Sequence, residues 1–242
     1  MATIIFTAGA KGGTGKSTAI RLLITYLREQ GFNPSLLDMD DESRTLSRFF
    51  PDALQIETKN PSEPFSHDLL VEKALSGENL VIADLKGGTG KETLEWWERL
   101  PFEELPDIRF ICLASITSTP DSVRSFLAWV AALQGKVSYI VCQNQKDGAA
   151  FPDYEETREA AEFRKNFNPI HVHIRRLNEI YMTELERLNL NISEVLEANG
   201  NLTINGKEVG PLLSKILKRA HLRSFQCEIY QQFEPVLNLL NV

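Results

Sequence analysis

The stretch Ala10-Lys11-Gly12-Gly13-Thr14-Gly15-Lys16-Ser17 decides how this chain is read. It follows the apolar run Thr3 to Ala8 and opens a helical pattern from Ser17 to Gln30, with Ile20, Leu23, Ile24 and Leu27 on one face and Gly31 as a stop. A strand, a glycine-rich turn and a helix in this order make a phosphate-binding loop. The glycines let successive backbone N–H groups converge on phosphate oxygens, and the helix N-terminus adds partial positive charge. Lys16 is placed to reach the β- and γ-phosphates and the Ser17 hydroxyl to ligate Mg²⁺. The loop usually begins with glycine; here Ala10 holds that position.

Working outward, apolar runs of strand length alternate with longer helical patterns. Strands are expected at Thr3 to Ala8, Pro34 to Leu37, Leu80 to Ala83, Arg109 to Ile116, Ser138 to Val141 and Ile170 to Ile174. Helical spacing recurs near Leu69–Leu75, Lys91–Arg99, Ser122–Leu133 and Asp153–Arg164, and again over Pro211 to Leu240 through Leu212, Ile216, Leu217 and Ala220. Apolar strands separated by helices imply an α/β fold: a mainly parallel sheet covered by helices on both faces. Ligands of such sheets sit beyond the carboxyl ends of the strands. Three polar motifs fall there, after the first, second and third strands. Asn60 to Pro64 reads as a loop, and Asn199 to Gly210 as a small hairpin or a disordered connector.

The second motif is Asp38-Met39-Asp40-Asp41-Glu42, a cluster of carboxylates at a strand end. The third is Leu80-Val81-Ile82-Ala83-Asp84, whose aspartate is expected to bind Mg²⁺ through water. Directly after it comes Lys86-Gly87-Gly88-Thr89-Gly90-Lys91, identical to Lys11 through Lys16. It is not a second phosphate loop. Glu92 stands where Ser17 stands in the first copy, and a carboxylate cannot replace that hydroxyl against phosphate.

Lys11 through Ser17 meets in full the pattern KGGxGK followed by Ser or Thr, and so resembles the deviant Walker A family that includes ParA, MinD and the nitrogenase iron protein. The resemblance covers Met1 to Asn144 and is general beyond that. It implies a P-loop NTPase of 242 residues in one domain that binds ATP and Mg²⁺ through Lys11, Gly12, Gly13, Thr14, Gly15, Lys16, Ser17 and Thr18. Lys11 would cross a homodimer interface and touch the partner's nucleotide. Asp40, in switch I, would position the attacking water, and Asp38 would orient the Mg²⁺ shell or Lys16. Asn144 would read adenine; Gln143 or a plain loop amide are the alternatives. Thr119-Pro120 resembles the loop leading into an interface helix. Asp41 and the Lys86 to Lys91 loop, in switch II, stand where relatives carry proline. The chain looks like a short ParA, without a helix-turn-helix extension. Its later half resembles plasmid stability and conjugal-transfer ATPases such as the StbB and TraL groups. The function implied is slow, partner-stimulated ATP hydrolysis in a dimerising switch for DNA partition, stability or transfer, with an adaptor protein and nonspecific DNA as partners. The alternatives are a MinD-like positioning regulator and a metabolic or redox enzyme of the same fold.

Composition bounds these readings. A formal net charge of −7 disfavours a dedicated nucleic-acid coat, although Arg175, Arg176, Lys215, Lys218, Arg219 and Arg223 cluster late in the chain. Cys112, Cys142 and Cys227 form no CxxC pair and are expected to be small hydrophobes in a reducing cytoplasm. The N-terminal residues do not read as a secretory signal, and no run approaches the ~20 apolar residues of a membrane span, so no stable membrane insertion is expected. Phe225 to Val242 has no Lys or Arg, which speaks against a basic terminal membrane helix.

Overall fold

A computed structural model describes residues 1–8, 12–57, 66–86, 90–198 and 203–240. Lys11, the loop at Asn60 to Pro64, residues 87–89 of the second glycine-rich motif and residues 199–202 of the expected hairpin lie outside them. Seven parallel strands form the sheet: β1 (Ala2–Ala8), β2 (Ser35–Met39), β3 (Leu54–Gln55), β4 (Leu80–Leu85), β5 (Ile108–Ile116), β6 (Ser138–Asn144) and β7 (Ile170–Ile174). Their order is β3-β2-β4-β1-β5-β6-β7, so β1 lies at the centre with β4 and β5 as neighbours.

The strands are buried on both faces because both sets of alternating side chains are apolar. Ile4, Phe6 and Ala8 of β1 join Val81 and Ala83, Phe110 and Cys112, and Val141 on one face. Ile5 joins Leu36, Ile82, Ile111 and Leu113, and Ile140 and Cys142 on the other. The first face is covered by α3 (Asp68–Leu75), α4 (Gly90–Arg99), α5 (Pro120–Leu133), α6 (Pro152–Glu155) and α7 (Arg158–Phe167). The second is covered by α1 (Lys16–Glu29), α2 (Thr45–Phe49), α8 (Glu179–Leu188), α9 (Ile192–Glu197) and α11 (Ile216–Leu240). Cys112 and Cys142 are buried and burial pushes both thiols up, as suits small hydrophobes, whereas Cys227 is exposed.

Helix α1 ends where expected: Gly31 takes φ +87°, and Phe32 N–H returns to the Leu27 carbonyl at 3.0 Å. The Asp153–Arg164 pattern is two helices rather than one. Thr157 turns extended between them, its hydroxyl donating to the Asp153 carbonyl at 2.6 Å. The C-terminal pattern also breaks, at Lys215, between α10 (Pro211–Ser214) and α11. Ile216 and Leu217 are helical but exposed, so their spacing does not mark a core face. A two-stranded hairpin, β8 (Thr203–Ile204) and β9 (Lys207–Glu208), precedes them. Among the described residues, no helix is long and apolar enough to cross a membrane.

Candidate nucleotide-binding site

The carboxyl ends of β1, β2 and β4 bring the three sequence motifs together. Gly15, at φ +93°, turns the chain into α1, and Lys16 and Ser17 form its first turn. The register sets Asp38 directly beside Asp84 on adjoining strands. Asp84 is 1 % exposed; its Oδ1 accepts from Thr7 Oγ1 at 3.0 Å, and the Ser17 hydroxyl also hydrogen-bonds to the carboxylate. Thr7 Oγ1 in turn accepts from Leu85 N–H at 2.8 Å, so β1 fixes the end of β4.

This corner is electrostatically costly. Burial pushes the Asp84 carboxyl up to about 6, against hydrogen bonds from Ser17 and Thr7. Burial also pulls the Lys16 ammonium down, while the charges of Asp84 and Asp40 hold it up. Asp84 Oδ2 and Thr14 Oγ1 are buried with no hydrogen-bond partner among the described residues. A buried carboxylate oxygen left in this state beside a serine hydroxyl is a fitting donor set for a divalent cation.

Asp38 and Asp40 are each engaged locally. Asp38 is fully buried, and its Oδ2 accepts from Ser47 N–H and Ser47 Oγ, both at 2.8 Å, which anchors α2. Its Oδ1 accepts from Asp40 N–H at 3.2 Å. Asp40 accepts from the amides of Glu42 and Ser43 and from the Ser43 hydroxyl, shaping the loop after β2.

Asn144 lies under the glycine-rich loop. Its Nδ2 donates to the Thr14 carbonyl at 3.1 Å, Ser115 Oγ donates to the same carbonyl at 2.8 Å, and its Oδ1 accepts from Lys146 N–H at 3.2 Å. Each end of the amide is thus engaged once within the chain, and its second N–H and second oxygen lone pair are not used by these bonds. Thr18 is half-buried and borders a small cavity lined also by Arg21, Met182 and Phe225. Among the described residues, a methyl group built on Gly12 or Gly13 meets no atom within 4 Å.

Sequence reasoning did not single out Thr7, Ser115 or Ser47. Thr7 and Ser115 had a signal: each is a polar residue near the carboxyl end of an otherwise apolar strand. Ser47 had none, because the five-residue helix that carries it is too short for a periodic pattern.

The family of CobQ/CobB/MinD/ParA nucleotide-binding domains matches residues 5–196. Protein virC1 of Rhizobium radiobacter is 38 % identical over 89 residues, a stretch covering 34 % of this chain and 38 % of that protein. The chain therefore spans well under half the length of this curated relative. A protein described as a plasmid partition protein from Borrelia burgdorferi B31, solved bound to AMPPNP, has a TM-score of 0.51 at 13 % identity, over 98 % of this chain and all of that one. The MinC:MinD cell division complex of Aquifex aeolicus gives 0.51 at 15 % identity, over 95 % and 96 % of the two chains. At such identities these likenesses show the fold alone. The family match covers most of the chain, and with the strand-end motifs in place the protein belongs to the CobQ/CobB/MinD/ParA nucleotide-binding domain family.

Proposed function

We propose that the chain is an ATP-dependent switch that dimerises on ATP, hydrolyses it slowly and acts in DNA partition, plasmid stability or conjugal transfer. The observation that carries this reading is the meeting of Lys16, Ser17, Asp38 and Asp84 at three adjoining strand ends. The amides of Gly12 to Ser17 receive the phosphates, with Lys16 as the cation over them. Ser17 and Asp84 would hold Mg²⁺, with Asp38 supporting the shell, and the bound cation would supply charge neutralisation at the phosphate oxygens. Asp40 orients the attacking water after its loop rearranges. Asn144 and Ser115 keep the Thr14 carbonyl in place, and the remaining N–H and oxygen lone pair of Asn144 serve to read adenine.

Lys11 is assigned to the partner's nucleotide in a homodimer, where a lysine from each side offsets the phosphate charge trapped between two facing sites. The DNA-linked role follows the resemblance of the Lys11 to Ser17 motif to the ParA group, and the basic residues of α11 supply a place for duplex DNA or an acidic adaptor. The test is the ATPase rate with and without duplex DNA for wild type and Lys11→Ala. Stimulation in the wild type that is lost in Lys11→Ala supports the reading. Equal rates in all four conditions contradict it.

A further inference from the structure

The loops after β2 and β4 are joined by one side chain. Lys86 Nζ lies 2.7 Å from Asp41 Oδ1 and 2.8 Å from Glu42 Oε1. The lysine side chain is 11 % exposed and that of Asp41 19 %, so this pair is shielded, whereas Glu42 at 75 % is a rim partner. Lys91, at the far end of the same KGGTGK motif, is 90 % exposed and lies 3.7 Å from Glu95 on its own helix. The two ends of the repeated motif therefore differ: one is built into the molecule and the other is solvated.

The strap sits where displacement matters. Lys86 is two residues beyond Asp84, and Asp41 directly follows Asp40. The loop it holds contains Arg44 at φ +47°, a left-handed conformation that a non-glycine residue keeps only when its surroundings hold it there. Arg44 Nη1 donates to the carbonyls of Asp38 and Ile56 at 3.2 and 3.0 Å, which secures one side of the loop. Lys86 secures the other. We propose that Lys86 is a positioning residue that clamps the 40–44 loop to the end of β4, so that the loop carrying Asp40 keeps a fixed place relative to Asp84 at that strand end. This gives the second KGGTGK a role that needs no second nucleotide. The role in hydrolysis rests on the function proposed above; the clamp itself does not.

The test uses the full chain. Trypsin cleavage after Arg44, without nucleotide, reports opening of the loop, and steady-state ATP hydrolysis reports the positioning. Lys86→Met and Asp41→Asn are each expected to raise cleavage by about fivefold or more, with the double variant no faster than either alone. Lys86→Arg should stay near wild type. Fluorescent ATP-analogue affinity should hold within about threefold in Lys86→Met while kcat falls about tenfold. Wild-type cleavage in Lys86→Met, additive effects in the double variant, or an unchanged kcat despite an opened loop would overturn the proposal. Failure of the function reading would be seen separately, as absence of hydrolysis by the wild type.

Discussion

Gly15 and Asn144 are in contact so close that no side chain fits between them. A methyl group on Gly15 would lie 2.1 Å from Asn144 Nδ2 and 3.6 Å from Ser115 Oγ. Gly15 also holds φ +93°, which disfavours any side chain there. The glycine is thus required twice, once by backbone conformation and once by the amide that pins the loop from below. Gly15→Ala is expected to cost about 2 kcal/mol or more of stability and to abolish tight nucleotide binding. Thermal unfolding and calorimetry check both. A variant with wild-type melting and affinity would show that the Asn144 contact does not shape the loop.

Arg21 on α1 is a second anchor. Its Nη1 lies 2.6 Å from Glu186 Oε1, and its guanidinium carbon is 3.1 Å from the Phe49 ring centroid, so α1, α2 and α8 meet on one side chain. The Arg21 side chain is 9 % exposed and that of Glu186 39 %, so solvent screens part of the attraction. Arg21→Ala should destabilise by about 2 kcal/mol, from the lost stacking, the lost bond and the cavity. A shift in urea midpoint without a change in slope is the expected signature.

His67 gives the fold a pH dependence. It is 7 % exposed, its Nε2 lies 3.0 Å from Thr93 Oγ1, and its ring stacks on Trp96. Burial pushes it down to about 4 despite the neighbouring Asp68. The unfolded chain therefore binds this proton more readily than the folded one between about pH 6.5 and pH 4. Stability is whole above that window and falls as pH drops through it, by up to about 3 kcal/mol from this group. His67→Gln should flatten that part of the stability profile. An unchanged slope between pH 7 and pH 5 would remove His67 as its source.

One of the basic residues late in the chain, Lys218, lies at the junction of α8 and α11. The Tyr181 hydroxyl lies 3.3 Å from His221 Nδ1, and Lys218 Nζ lies 5.7 Å from the Tyr181 ring centroid, which joins the segment after β7 to α11. Arg175 and Arg176 face Glu228 and Glu179, at 2.6 and 3.7 Å. DNA binding, measured by fluorescence anisotropy, is expected only with ATP, to fall steeply with salt, and to weaken in Lys218→Glu/Arg219→Glu. Equal binding with ADP and ATP would remove the switch from this contact.

Much of this was legible where local pattern and global fold agree. The strand at Thr3 to Ala8, the loop and α1 form a unit whose period, turn chemistry and capping all point the same way. The carboxylates of Asp38 and Asp84 were legible because they end apolar strands. What escaped notice depends on contacts across the sheet. The Thr14 carbonyl bonds to Ser115 and Asn144 over sequence separations of 101 and 130 residues. The two-residue β3 and the short α2 and α9 carry too few side chains to show a period, and tertiary packing decides them. The break at Thr157 was missed because apolar spacing continues across it while the backbone does not.

The central claim is one ATP site per chain, built on the first glycine-rich loop and not on its copy. Titration calorimetry of ATP with Mg²⁺ tests it most directly, using wild type, Lys16→Ala and Lys91→Ala. One nucleotide per chain is expected in the wild type, with binding lost in Lys16→Ala and kept in Lys91→Ala. Two nucleotides per chain, or unchanged affinity in Lys16→Ala, would contradict it.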